Sequence, residues 1–285
     1  MANIAKQSIK INTCFNVFKL WCTTKKLHTN KKSDTLKCLI KKTRGNVMAI
    51  FNGFTHESVA NNLNALRNAS VTSHTLKQVD IPNIVDLQDT VIDGLPSHKK
   101  HFIAKRSKED FLRFMHQGGQ IIGLKDGEDL VAYSIVHFPQ TNEETGFDPK
   151  ISTPELNTCA LLKSTVVHPD FRGRGLQKTL IDARLEQAAL AGKETAICEV
   201  DIQNAASIKS LMSKGFTIRD AGVSPVDGMP SVYMYKNLTQ VQAHGTSNAL
   251  QLVAVEDWAK HCHLLKNGHV GVDYFDGFIT YQAGV

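Results

Sequence analysis

The chain has 285 residues, of which 42% are hydrophobic, enough to bury a sizeable core as one large domain or as a mid-sized domain with appendages. Its net charge of +6 is local, because residues 1–45 hold ten lysines and Arg44 against Asp34, a balance of +10, and the rest of the chain carries −4. A mildly acidic body behind one basic segment argues against a nucleic-acid-binding fold, and six cysteines without a CxxC pair argue against a zinc ribbon or a disulfide framework.

Residues 1–45 mix lysine with scattered apolar residues, keep no sustained period and read as a basic, poorly ordered extension, dispensable for catalysis. Translation starting near Met48 is one mundane account of it; a mitochondrial presequence would favour arginine over lysine. The stretch lacks the apolar core and small-residue cleavage site of a secretory signal, and no apolar run in the chain approaches the roughly 18 residues of a spanning helix. A cytoplasmic protein with no membrane span is the expectation. Residues 46–73 are a connecting segment.

From residue 74 the pattern becomes regular. Residues 75–80 ("TLKQVD") read as a strand and 81–95 as a helix with Pro82 near its start. Ser107, with Asp110 three residues on, predicts the N-cap of a second helix that ends at Gly118. Asp126-Gly127 marks a hairpin between two strands within residues 120–138. Cys159 to Val167 ("CALLKSTVV") is the next strand. Leu176 to Ala191 follows as a helix with Leu176, Leu180, Ile181, Leu185 and Ala188 on one apolar face. Residues 195–202 form a strand, 204–215 a short helix closed by Gly215, and "FTIRD" and "SVYMYKNL" two last strands. The order βααβββαβαββ predicts a mixed α/β domain over residues 74–238. Residues 239–285 read as a helix ended by Gly268 and a hairpin at Asp276-Gly277, a unit too small to fold alone that should pack on the main domain or on a second copy of the chain. His261, Cys262 and His263 in that helix suggest metal ligands, but consecutive helical residues diverge by about 100° and cannot all face one ion. No metal is expected.

The run Arg172-Gly173-Arg174-Gly175-Leu176-Gln177 joins a strand to a long helix, where unpartnered N–H groups and the helix dipole favour an anion. A Walker A loop ending in Lys178-Thr179 would need glycine where Arg172 and Gln177 stand, and a dinucleotide fingerprint starting at Gly173 would need glycine where Lys178 stands. Both fail. The run, preceded by "VHPDF", resembles motif A of the GNAT superfamily of acyl-coenzyme A-dependent N-acetyltransferases, Arg/Gln-x-x-Gly-x-Gly/Ala, with Gln177 departing at the sixth position. "CEVDIQNAASIKSLMSKGF" matches the strand, asparagine, helix and Gly-Phe of the family's next motif.

That resemblance implies a GNAT fold: a mixed central sheet splayed between its fourth and fifth strands and flanked by helices, here with the C-terminal appendage added. It implies that acetyl-CoA lays its pyrophosphate on the N–H groups of residues 172–178, with Arg172, Arg174 and Lys178 adding charge. Pantetheine would run in the splay along Val166 and Val167 and reach Asn204. It implies an amine acceptor, a small molecule or a peptide or protein amine, with Glu199 as general base. The tyrosine that often protonates the leaving thiolate is replaced by Met212, leaving Tyr133, Tyr233, Tyr235 or solvent. A GNAT domain that binds acyl-CoA without turnover, as sensor or scaffold, is the rival that Met212 favours.

Overall fold

The computed structural model describes residues 70–139, 156–239 and 250–284, all within the compact unit Leu66–Val285. The basic extension, the start of the connecting segment and most of the loop "PQTNEETGFDPKIST" lie outside the described residues.

Ten strands form one sheet in the order β1-β2-β3-β4-β5-β7-β6-β9-β10-β8. In chain order these are β1 (Val71–Leu76), α1 (Ile81–Asp93), α2 (Lys108–His116), β2 (Gln120–Asp126), β3 (Asp129–His137), β4 (Cys159–Val167), α3 (Leu176–Leu190), β5 (Thr195–Asp201), α4 (Ala205–Met212), β6 (Thr217–Val223) and β7 (Pro230–Asn237), followed by β8 (Gln251–Ala254), α5 (Trp258–Lys266), β9 (His269–Phe275) and β10 (Phe278–Ala283). Through β7 the order is the one expected. The first strand is displaced from its expected place: β1 begins at Val71, and Gln78–Asp80 is a 3-10 turn leading into Pro82 at the start of α1. The β2–β3 hairpin turns where Asp126-Gly127 places it, with Gly127 at φ 64°.

Alternation along the strands divides the core between two faces. Ile122, Leu124, Leu162, Ala196, Cys198 and Val200 pack on one face with Leu180 and Ile181 of α3 and Ile208 and Leu211 of α4. Ile121, Tyr133, Ile135 and Val166 pack on the other with Ile84, Leu87 and Val91 of α1 and Phe111 and Phe114 of α2. Ser107 caps α2 in the expected capping box with Asp110.

β4 and β5 are parallel, and they pair only at Cys159–Thr195, Ala160–Ala196 and Leu161–Ile197. Beyond those residues no pair joins them. The expected splay between the fourth and fifth strands is therefore present, at the end of β4 that leads into the glycine turn. On its other edge β4 stays paired with β3 through Val167, with a bulge where Thr165 faces Ser134 and Lys163 faces Ile135. The residue left over is Ser164, at φ 27°, a strained value for a residue with a side chain.

The C-terminal segment packs on the main sheet, the first of its two expected alternatives, and is larger than a helix and hairpin. β9 meets β6 at Ile218–Gly271, β10 pairs β9 across Asp276-Gly277, and β8, absent from the sequence reading, pairs β10. Gly271 suits that junction because a Cβ there would stand 3.0 Å from Ile218 Cβ.

His261 is buried under this extension rather than offered to an ion. Its Nε2–H donates to the Ala254 carbonyl at 2.8 Å, and its Nδ1 accepts from the Tyr281 hydroxyl at 2.8 Å. Burial is the main cause that depresses its pKa below the ordinary histidine value. The unfolded chain binds a proton as pH falls through about 6.5, where the folded imidazole does not. Stability is thus full above that pH and declines below it. His261→Ala is expected to cost about 2–4 kcal/mol of unfolding free energy at pH 7.5 by leaving two buried polar groups unpaired. Its deficit relative to wild type should shrink between pH 6.5 and 5, as followed by denaturant melts.

Candidate active site

The 3-10 turn Pro169–Phe171 and the loop after it carry the chain from β4 into α3. Gly173 and Gly175 both have positive φ, 71° and 80°, which explains glycine at these two places. Gly175 is the N-cap of α3 and has no side chain to cap with, whereas Ser107, Asn204 and Asp257 cap α2, α4 and α5. The start of α3 thus presents its backbone N–H groups without a side-chain cap, beside open space at the Cα of Gly173. Arg174 lies over the Phe171 ring, 4.2 Å from its centre, and donates to the Asp170 carbonyl at 2.8 Å. Arg172 Nε reaches the Val167 carbonyl at 3.4 Å. Arg172 and Lys178 are exposed.

Gln177, the departure from the glycine pattern, ties α3 to α4: its Nε2 donates to Ser207 Oγ and its Oε1 accepts from Ser210 Oγ, each at 3.3 Å. Asn204 Oδ1 accepts from the Ser207 N–H at 3.2 Å. Its Nδ2 makes no hydrogen bond among the described residues.

Val166, buried, and Val167, half-buried, form the end of β4 above the splay. Glu199 stands across the gap on β5, on the face of Ile197 and of helices α1 and α2. Burial raises its pKa above the ordinary carboxylate value, and hydrogen bonds from the Ser224 and Ser231 side chains together with the Lys163 charge pull the other way. Tyr233 is its direct cross-strand neighbour on β7. Tyr133 donates to Gln88 Oε1 at 3.3 Å, and Tyr235 is half-buried beside Ile197. Met212 closes α4 and packs against the opposite face of the sheet.

Four side chains that the sequence reading missed complete the site. Lys163 of β4 places its Nζ 5.5 Å from the centre of the Phe114 ring, and Arg106 lies 4.7 Å from the same ring. Arg106 Nε donates to Ser164 Oγ at 3.2 Å, fixing the bulge. Burial, with Arg106 beside it, pushes the Lys163 pKa down to about 8, opposed by Glu199. Arg184 of α3, buried, donates to the Lys163 carbonyl at 3.2 Å and supplies β4 with a partner where the β5 ladder has ended. His101, from the 3-10 segment Ser97–Phe102, meets Asp201 at the end of β5 at 3.0 Å. That contact brings part of the segment between α1 and α2 against the end of β5 at the gap. Lys163 is the one charged residue of β4, but nothing in the sequence joins it to Arg106, Arg184 or His101.

A mixed sheet opened at one parallel pair, with a glycine turn and an uncapped helix at the mouth of the opening, defines the GNAT class of acyltransferase fold. The sequence model described as the Acetyltransferase (GNAT) family matches residues 89–216. The chain's 38% identity over 55 residues to the L-methionine sulfoximine/L-methionine sulfone acetyltransferase of Salmonella typhimurium covers 19% of this chain and 32% of that protein, so the chain matches about a third of the length of this relative. Among solved structures, an acetyltransferase of Salmonella typhimurium with its cofactor acetyl-CoA is 19% identical, over 62% of this chain and 99% of that chain, with a TM-score of 0.47. The ribosomal-protein-S18-alanine N-acetyltransferase of Escherichia coli is 20% identical, over 61% and 97%, with a TM-score of 0.44. Among the described residues no helix is long and apolar enough to cross a membrane.

Proposed function

We propose that this chain is an N-acetyltransferase that moves the acetyl group of acetyl-CoA to a primary amine by direct attack on the thioester. The observation that carries the reading is the end of β4–β5 pairing at Leu161–Ile197, which opens a gap lined by Glu199 and leading to the glycine turn. The N–H groups of residues 172–178 hold the pyrophosphate, with Arg172, Arg174 and Lys178 supplying charge. Val166, Val167 and Asn204 line the pantetheine path.

An amine must lose its proton before it can attack, and a lysine-type amine near 10.4 is mostly protonated at neutral pH. Glu199 receives that proton, directly or through one water, and its raised pKa makes it a better acceptor than an exposed carboxylate. The departing thiolate, with a pKa near 8.5, needs little help. Tyr133 is committed to Gln88, which leaves Tyr233, Tyr235 or solvent as the proton source.

The non-catalytic alternative, an acyl-CoA sensor or scaffold, is favoured by Met212 at the position of the family's tyrosine. A thiol-release assay with a panel of small amines, amino acids and peptides separates the two. Transfer predicts release of free CoA that depends on one class of amine. Acetyl-CoA binding with no amine-dependent release by any member would leave the sensor reading in its place.

A further inference from the structure

Lys163 is an amine already inside the gap. It sits on β4 two residues beyond the last residue paired to β5, beside the bulge at Ser164, and its Nζ faces Phe114 on the same side of the sheet as Glu199. The two side chains are near enough that the charge of each acts on the other. Arg184 holds its main-chain carbonyl from the opposite face, so the strand cannot readily turn the side chain away.

We infer that Lys163 is itself an acetyl acceptor, and that without an external amine the chain acetylates its own Lys163 Nζ from acetyl-CoA held between β4 and β5. This rests on the acetyl-CoA reading above. The neutral nitrogen attacks the thioester carbonyl carbon, and the tetrahedral adduct collapses with rupture of the C–S bond. The proton lost from nitrogen passes through Glu199 or water to the departing thiolate. The products are Nε-acetyl-lysine at position 163 and free CoA. Burial supports the step by leaving a useful fraction of this amine neutral near pH 8, more than an ordinary lysine amine with a pKa near 10.4 has. The modification places an amide in the gap beside Glu199 and fills the acceptor side. The chain thereby silences its own site when acetyl-CoA is plentiful and acceptor is scarce.

The test is peptide mass mapping of the full chain after incubation with acetyl-CoA and no amine. The 163 peptide is expected to gain one acetyl group before any peptide bearing an exposed lysine. Its first-order rate should be unchanged by dilution of the protein, rise about tenfold per pH unit below pH 8 and level off above it. The modification should be absent from Gly175→Glu, whose cofactor site is blocked, and Lys163→Arg should gain no acetyl group at that position. Acetylation led by exposed lysines, or a rate that scales with protein concentration, would overturn the inference. Amine-dependent CoA release from a chain whose Lys163 stays unmodified would overturn it while leaving the acetyltransferase reading intact. A chain that neither binds acetyl-CoA nor releases CoA would overturn both.

Discussion

Acetyl-CoA is expected to raise the melting temperature of the wild-type chain and to leave that of Gly175→Glu unchanged. Gly175 has φ 80° and is the N-cap of α3, so a side chain there strains the turn and a carboxylate faces the pyrophosphate. Like charges forced together at a binding surface cost several kcal/mol, which lowers affinity by a factor of about 100 or more. Ligand at a hundred times its Kd stabilises the wild-type fold by about 2.7 kcal/mol, a rise of roughly 5–10 °C at about 2–4 °C per kcal/mol. Gly175→Ala separates strain from charge, since it shares the backbone penalty and lacks the carboxylate. It should melt lower than wild type and still respond to the ligand. A ligand response in Gly175→Glu equal to that of wild type would move the pyrophosphate away from this turn.

Glu199→Gln is expected to keep acetyl-CoA affinity and to lose roughly 10²-fold to 10⁴-fold in turnover, the usual contribution of a general base. Glutamine preserves the size of the side chain and can still accept from Ser224 and Ser231, so the fold should be little changed. The raised pKa of Glu199 sets the sign of the pH effect: wild-type kcat/KM falls as pH drops through it, because the protonated carboxyl accepts nothing. At high pH the deficit of the variant narrows, since more acceptor is neutral unaided. A ratio of wild type to variant that stays constant across pH would remove Glu199 from proton transfer and leave positioning of the amine as the source of rate.

The fold was legible where local chemistry decides it. Ser107 with Asp110, Asp126-Gly127 and the apolar face of α3 each announce one element, and the structure places those elements there. The first strand slipped because "TLKQVD" has strand composition, while Asp80 and Pro82 favour a turn into α1. β8 escaped because four residues ahead of a helix carry too little period to show, and only pairing with β10 defines them. At the candidate site, the glycine turn was legible as a motif, and Glu199 was proposed only through the family resemblance that motif carries. Lys163, Arg106 and Arg184 were not legible, because they meet through the bulge, the Phe114 ring and the end of the β4–β5 ladder, all long-range consequences of packing. Arg184 is the clearest case, a buried arginine on a helix face read as apolar.

The most direct measurement is a crystal structure of the full chain with bound acetyl-CoA. Pyrophosphate oxygens are expected on the N–H groups at the start of α3, pantetheine between β4 and β5 beyond Leu161 and Ile197, and the thioester beside Glu199 and Lys163. Acetyl-CoA bound elsewhere, with β4 and β5 closed together up to Val167, would contradict this placement.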